Sequence, residues 1–173
     1  MRVYWPTTLT ALARLAGSGE LAPAPVTVHA VTPTLRDFYA DADPRDLEEE
    51  LEFVAMTDAA GRSVRLLAEE PAAAPRRVVL ALDVPDAAVE STRGAWSGPE
   101  RSQVRVDVPL RLADLVSVHV DDAEAEADVR AAIGALAAAD AGDEDAQFTL
   151  EACEGHDLLW YDAGELPLLL AVG

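Results

Sequence analysis

Two hydrophobic periods divide the chain into elements: alternation along some stretches and helical spacing along others. Arg2 to Trp5 consists of β-formers stopped by Pro6, which predicts a short strand. Thr7 or Thr8 can cap a helix that sets Leu9, Leu12 and Leu15 on one face and stops at Gly17 and Gly19. Pro25 opens a second strand, Val26 to Val31. A first helical turn follows from Pro33 to Tyr39, and Asp43-Pro44 offers a second helix start. The run from Asp46 to about Glu69 predicts the longest helix. Leu47, Leu51, Val54 or Ala55, and Ala59 form one apolar stripe, while Phe53, Met56, Ala60, Val64 and Leu67 form another. A helix with two stripes is buried on more than one side.

Val78 to Leu82 is apolar without alternation, the mark of a strand covered on both faces, and Pro85 ends it. Residues 86–102 read as one long loop rich in Gly, Ser, Pro and Arg. Val104, Val106 and Val108, then Val116, Val118 and Val120, alternate with polar residues and predict two strands with one wet face each. Asp121-x-x-Glu124 predicts an acidic capping box for a helix carrying Val129, Ile133 and Leu136, with Gly142 as its stop. Residues 143–154 admit either a helix started by Asp143 to Asp145 or a hairpin in which Phe148, Leu150 and Ala152 alternate; the helix is preferred. Leu158 to Tyr161 is a last strand, and Glu165 to Leu170 a terminal turn or helix interrupted by Pro167. The order predicts one α+β domain over residues 1–173. Its form is a two-layer sandwich with a mixed sheet of about six strands and helices packed on it, the alternative being an open α/β arrangement.

Composition narrows the functions. Half of the 173 residues are hydrophobic, enough for an ordinary core without a metal or disulfide, and Cys153 is the only cysteine. The net charge is −19, unevenly spread: residues 114–173 carry 15 acids and one arginine, Arg130. Such a surface repels phosphate, so neither nucleic acid nor an anionic membrane is an expected partner, whereas a protein or small-molecule partner is. The first residues lack the charged region and apolar core of a signal peptide, and no stretch approaches a membrane span. A cytoplasmic protein is expected. The chain has no lysine, no asparagine and one isoleucine, Ile133, which points to a GC-rich genome.

Candidate chemistry is sparse. No phosphate-binding glycine loop, GxSxG, HExxH or CxxC motif occurs, so no cofactor is assigned. His29 and His119 both oppose the valine-rich face of their strands, and Asp121 shares a face with His119. Were those strands neighbours in register, the three would form a candidate metal set; ordinary strand histidines are the alternative. Cys153 and His156 suggest a thiol nucleophile, but Glu151 and Glu154 oppose its activation. Glu52 and Asp58 are candidate buried carboxylates, and Asp58 with Arg62 has the spacing of an i,i+4 ion pair. The aromatic pairs Tyr4-Trp5 and Trp160-Tyr161 would divide between core and surface if the first and last strands paired. Arg93, Trp96 and Arg101 in the long loop form a candidate binding site, since Arg and Trp are favoured anchors at interfaces.

Met1-Arg2-Val3-Tyr4-x-Pro6, Ala30-Val31-Thr32-Pro33-x-Leu35-Arg36, Val118 to Glu126 and Leu158-Leu159-Trp160-Tyr161 run along nearly the whole chain. Together they resemble an uncharacterised family of small acidic proteins from high-GC Gram-positive bacteria. The resemblance supplies no activity and no site residue. The best-supported expectation is therefore a non-enzymatic binding or regulatory module that presents an acidic surface to a protein or small ligand. The alternative is a small metal-assisted enzyme built on His29, His119 and Asp121.

Overall fold

The computed structural model describes residues 1–40, 47–90 and 98–172. Its strands are β1 (Arg2–Thr7), β2 (Glu20–Ala22), β3 (Val26–His29), β4 (Val78–Asp83), β5 (Val89–Glu90), β6 (Gln103–Val106), β7 (Leu110–Arg111), β8 (Leu115–Asp121) and β9 (Leu158–Asp162). Its helices are α1 (Leu9–Leu15), α2 (Pro33–Phe38), α3 (Leu47–Glu69), α4 (Glu126–Asp140), α5 (Glu144–Ala152) and α6 (Leu166–Val172). The α+β class read from the sequence is the class observed.

Seven strands form one sheet in the order β5-β6-β3-β1-β4-β8-β9, and β2 with β7 forms a separate ribbon. Every pairing is antiparallel, so the sheet is not the mixed one expected. The first and last strands do not pair either, because β4 and β8 lie between them. The non-alternating strand β4 is buried from Val78 to Leu82, as its uniform apolarity requires. One face of the sheet sets Val3, Val28, Leu80 and Val118 against α1, α6 and the β2/β7 ribbon. The other face sets Tyr4, Val79 and Ala81 against Leu51, Ala55 and Ala59 of α3. Burying each of these larger side chains contributes roughly 1.5–3 kcal/mol. Beyond the two-layer expectation, therefore, both faces are covered.

Capping explains the helix starts. The Thr8 hydroxyl accepts from Ala11 N–H at 3.0 Å, and Asp143 accepts from Ala146 N–H at 2.9 Å, which resolves the 143–154 stretch as helix. Gly142 ends α4 with a φ of +90°, a conformation that only glycine adopts without strain. The capping box proposed for Asp121 is not formed. Asp122 caps the turn before α4, while Asp121 faces inward and binds Arg77. The helix start at Asp43-Pro44 lies outside the described residues. Among them no helix is long and apolar enough to cross a membrane.

Of the second stripe expected on α3, Val64 and Leu67 meet α4, whereas Met56 and Ala60 pack with the first stripe and Phe53 is exposed. Val64 and Leu67 pack with Val129, Ala132 and Cys153 in a third apolar cluster. Ser63, fully buried, stitches the helix to the sheet: its hydroxyl donates to Thr7 O at 2.7 Å and accepts from Val78 N–H at 3.0 Å. So fixed, α3 lies along the middle of one sheet face and leaves a hollow on each side.

Candidate functional site

The larger hollow, about 630 Å3, lies between the β3/β6 side of the sheet, α3 and the α4–α5 pair. His29 and Gln103 enter it from adjacent strands, where they are directly paired. Asp58, Gly61 and Arg62 enter from α3, and Leu150 with Cys153 closes the far side. Gly61 has open space where a side chain would stand, so the helix does not fill the cleft there.

A polar chain runs behind this cleft. The Ser102 hydroxyl donates to Asp58 Oδ2 at 2.5 Å, and His29 Nδ1 lies 2.8 Å from Ser102 Oγ. Because the Ser102 proton is committed to the carboxylate, Nδ1 must carry the proton of the His29–Ser102 bond. His29 is therefore the Nδ1–H tautomer and Nε2 is an acceptor. No buried side-chain nitrogen or oxygen lacks a partner among the described residues. Nε2 makes no hydrogen bond there, so it reaches the cleft surface. Burial, aided by the positive charge of Arg62, pushes the His29 pKa down to about 4. The ring is neutral at physiological pH.

Burial likewise raises the Asp58 carboxyl, against the opposing pull of the Ser102 bond and the Arg101 charge. The ion pair expected between Asp58 and Arg62 is not formed, because Asp58 turns to Ser102 on β6's side of the helix. Arg62 is left exposed at the cleft with no ion-pair partner among the described residues. Ser102 is fully buried, and its hydroxyl sits between the acid and the imidazole. In a hydrolytic triad the histidine occupies the middle place and the serine faces substrate; here the order is different and the serine is shielded.

The remaining candidates fall elsewhere. His29 and His119 do project from the same sheet face, but β1 and β4 separate their strands. Three strand spacings put their strands about 14 Å apart, and the two rings line hollows on opposite sides of α3. His119 Nε2 bonds the Ser117 hydroxyl at 3.0 Å, and the Asp121 carboxylate is consumed by Arg77. The geometry does not bring the three together, and the neighbouring-strand premise of that set is not met. Among the described residues no group of three or more His, Cys, Asp or Glu is placed to hold a metal ion.

Arg101 stacks its guanidinium over Phe38, 3.8 Å from the ring centroid, and its carbonyl accepts from the Thr32 hydroxyl. It fastens α2 to the turn that leads into β6. Arg93 and Trp96, its proposed companions, lie outside the described residues. Cys153 is buried and its thiol is raised chiefly by that burial, while His156 Nε2 bonds Asp128 at 2.7 Å and not the sulfur. Sequence reasoning missed Ser102 and Arg77 as partners of the histidine and the acid it singled out. Their only sequence signal is a polar residue at the start of a strand, which is too common to select.

The chain belongs to a family of unknown function, DUF6912, whose model matches residues 1–170. Neither a curated protein nor a solved structure matches it.

Proposed function

We propose that the protein is a non-enzymatic binding module whose recognition site is the His29 cleft. Its ligand is a small organic molecule that brings a hydrogen-bond donor to His29 Nε2 and a hydrogen-bond acceptor to Arg62. One observation carries the reading: Ser102 and Asp58 lock the imidazole in a single neutral tautomer with its acceptor nitrogen on the cleft. The largest hollow with converging polar groups is the default place for a small ligand. A pKa near 4 suits an acceptor better than a proton shuttle, which works best poised near the operating pH. The buried serine supplies no nucleophile. The reading keeps the binding-module expectation, moves it from the acidic surface to one cleft, and keeps the cytoplasm as the proposed compartment.

A panel of small polar molecules bearing both an N–H or O–H donor and a carbonyl or carboxylate acceptor tests it through melting temperature. Some members should raise that of the native chain by a few degrees and leave that of Arg62→Gln unmoved. A panel without effect, or shifts equal in the variant, removes the reading.

A further inference from the structure

The hollow on the other side of α3 is smaller, about 270 Å3, and its chemistry is different. Tyr4, Ser117 and His119 form its floor on the sheet, while Glu49 and Glu52 of α3 and Trp160 of β9 stand around it. Phe53 also lines it from the helix. Trp160 is 60% exposed and Phe53 57%, although each is large enough to add substantially to a core. The pairing of His119 with Trp160 in neighbouring strands and the helical position of Phe53 bring both rings to this one cavity. Two open aromatic rings beside two carboxylates therefore line a space that no described residue fills.

The charge of the cavity is negative. Arg2 is the one cation among its described lining residues, and Asp83 holds it, Nε to Oδ1 at 2.9 Å and Nη2 to Oδ2 at 3.3 Å. Burial and the nearby Arg2 lower the His119 pKa, so its ring adds no positive charge at neutral pH. Glu52 accepts from the Tyr4 hydroxyl at 3.3 Å, which holds one carboxylate towards the floor. Aromatic faces attract cations, most effectively weakly hydrated ones that can shed water on entering. A compact metal ion makes no use of the rings, and an anion is repelled by the carboxylates. The volume falls below the roughly 300–1,000 Å3 of pockets for larger ligands, which limits the occupant to a small head.

We propose that this cavity binds a small alkylammonium group, with Trp160 and Phe53 as its aromatic walls and Glu52 and Glu49 as its counter-charges. The site shares no residue with the His29 cleft and stands independently of it.

Choline chloride, titrated calorimetrically into the full chain beside its uncharged isostere with carbon in place of the quaternary nitrogen, tests the assignment. Choline should bind saturably at one site, and the isostere at least about tenfold more weakly. Trp160→Leu and Glu52→Gln should each weaken choline by about five- to thirtyfold at an unchanged melting temperature. Trp160 is exposed and glutamine keeps an acceptor for Tyr4, so neither variant threatens the fold. An acetylated trimethyllysine amide distinguishes sources: tighter binding than choline assigns the cation to a modified side chain, weaker binding to a free metabolite. No saturable binding of either cation, equal binding of the isostere, or full affinity in both variants overturns the proposal.

Discussion

Arg77 and Asp121 form a fully interior ion pair, 2.6 Å from Nη2 to Oδ1, with side-chain exposures of 2% and 0%. The Asp121 carboxylate also accepts from the Arg77 backbone N–H at 2.7 Å and from Nε at 2.8 Å, while Nη2 reaches the His156 carbonyl at 2.8 Å. This one pair joins the start of β4, the end of β8 and the turn before β9. Its geometry satisfies both charges, which is the condition for a buried pair to be tolerated.

Asp121→Ala leaves the guanidinium buried without its counter-charge and should cost about 3–5 kcal/mol in urea unfolding. Replacing both partners together, Arg77→Met with Asp121→Leu, should restore much of that loss. A double variant as unstable as the single one would show that the pair does more than balance its own desolvation.

His29 makes stability depend on pH. Its folded pKa of about 4 lies below the ordinary value of 6.5, so the unfolded chain binds more protons between those limits. Stability from this group is complete above pH 6.5 and is lost as pH falls towards 4, by about 2 kcal/mol at pH 5. Unfolding of native chain and His29→Gln at pH 7 and pH 5 checks it: the native chain should lose about that much more than the variant.

Ser102→Ala removes the oxygen shared by His29 and Asp58. Leaving those groups without their common partner should cost about 1–3 kcal/mol and release the tautomer. The nitrogen chemical shifts of the His29 ring report it directly. In the native chain they should show protonation at Nδ1, and in the variant a mixture of tautomers.

Cys153 is 3% exposed, and its Sγ donates to Leu150 O at 3.0 Å. Burial raises the thiol above its ordinary value, so the thiolate is scarce at neutral pH. Alkylation by iodoacetamide at pH 7.5 should be negligible in the native state and rapid in urea. Fast labelling of the folded chain would place the α4–α5 pair in an open arrangement.

Much of the fold was legible in local patterns. The caps at Thr8 and Asp143, the stripe of Leu51, Ala55 and Ala59 on α3 and the unbroken apolar run of β4 each express a preference of a few adjacent residues, and each appears where its pattern lies. The strands β2, β5 and β7, two or three residues long, offer too few positions for any alternation to show. Asp121 looked like a cap because Asp-x-x-Glu satisfies the local rule. A buried guanidinium 44 residues away binds it more strongly than an exposed helix start can.

Local pattern alone places most of the helices and the longer strands, and tells which face of β3 and β8 holds the valines and which the histidines, because periodicity is a short-range property. Strand order, which sets the chemistry, comes from long-range pairing that no short stretch of chain encodes. Two strands inserted between those of His29 and His119 replace a single joint site with two separate hollows flanking α3. Side chains 44 and 73 residues apart, Asp58 with Ser102 and Ser102 with His29, become partners only because chain entropy lost in closing those loops is offset by burial of the whole sheet.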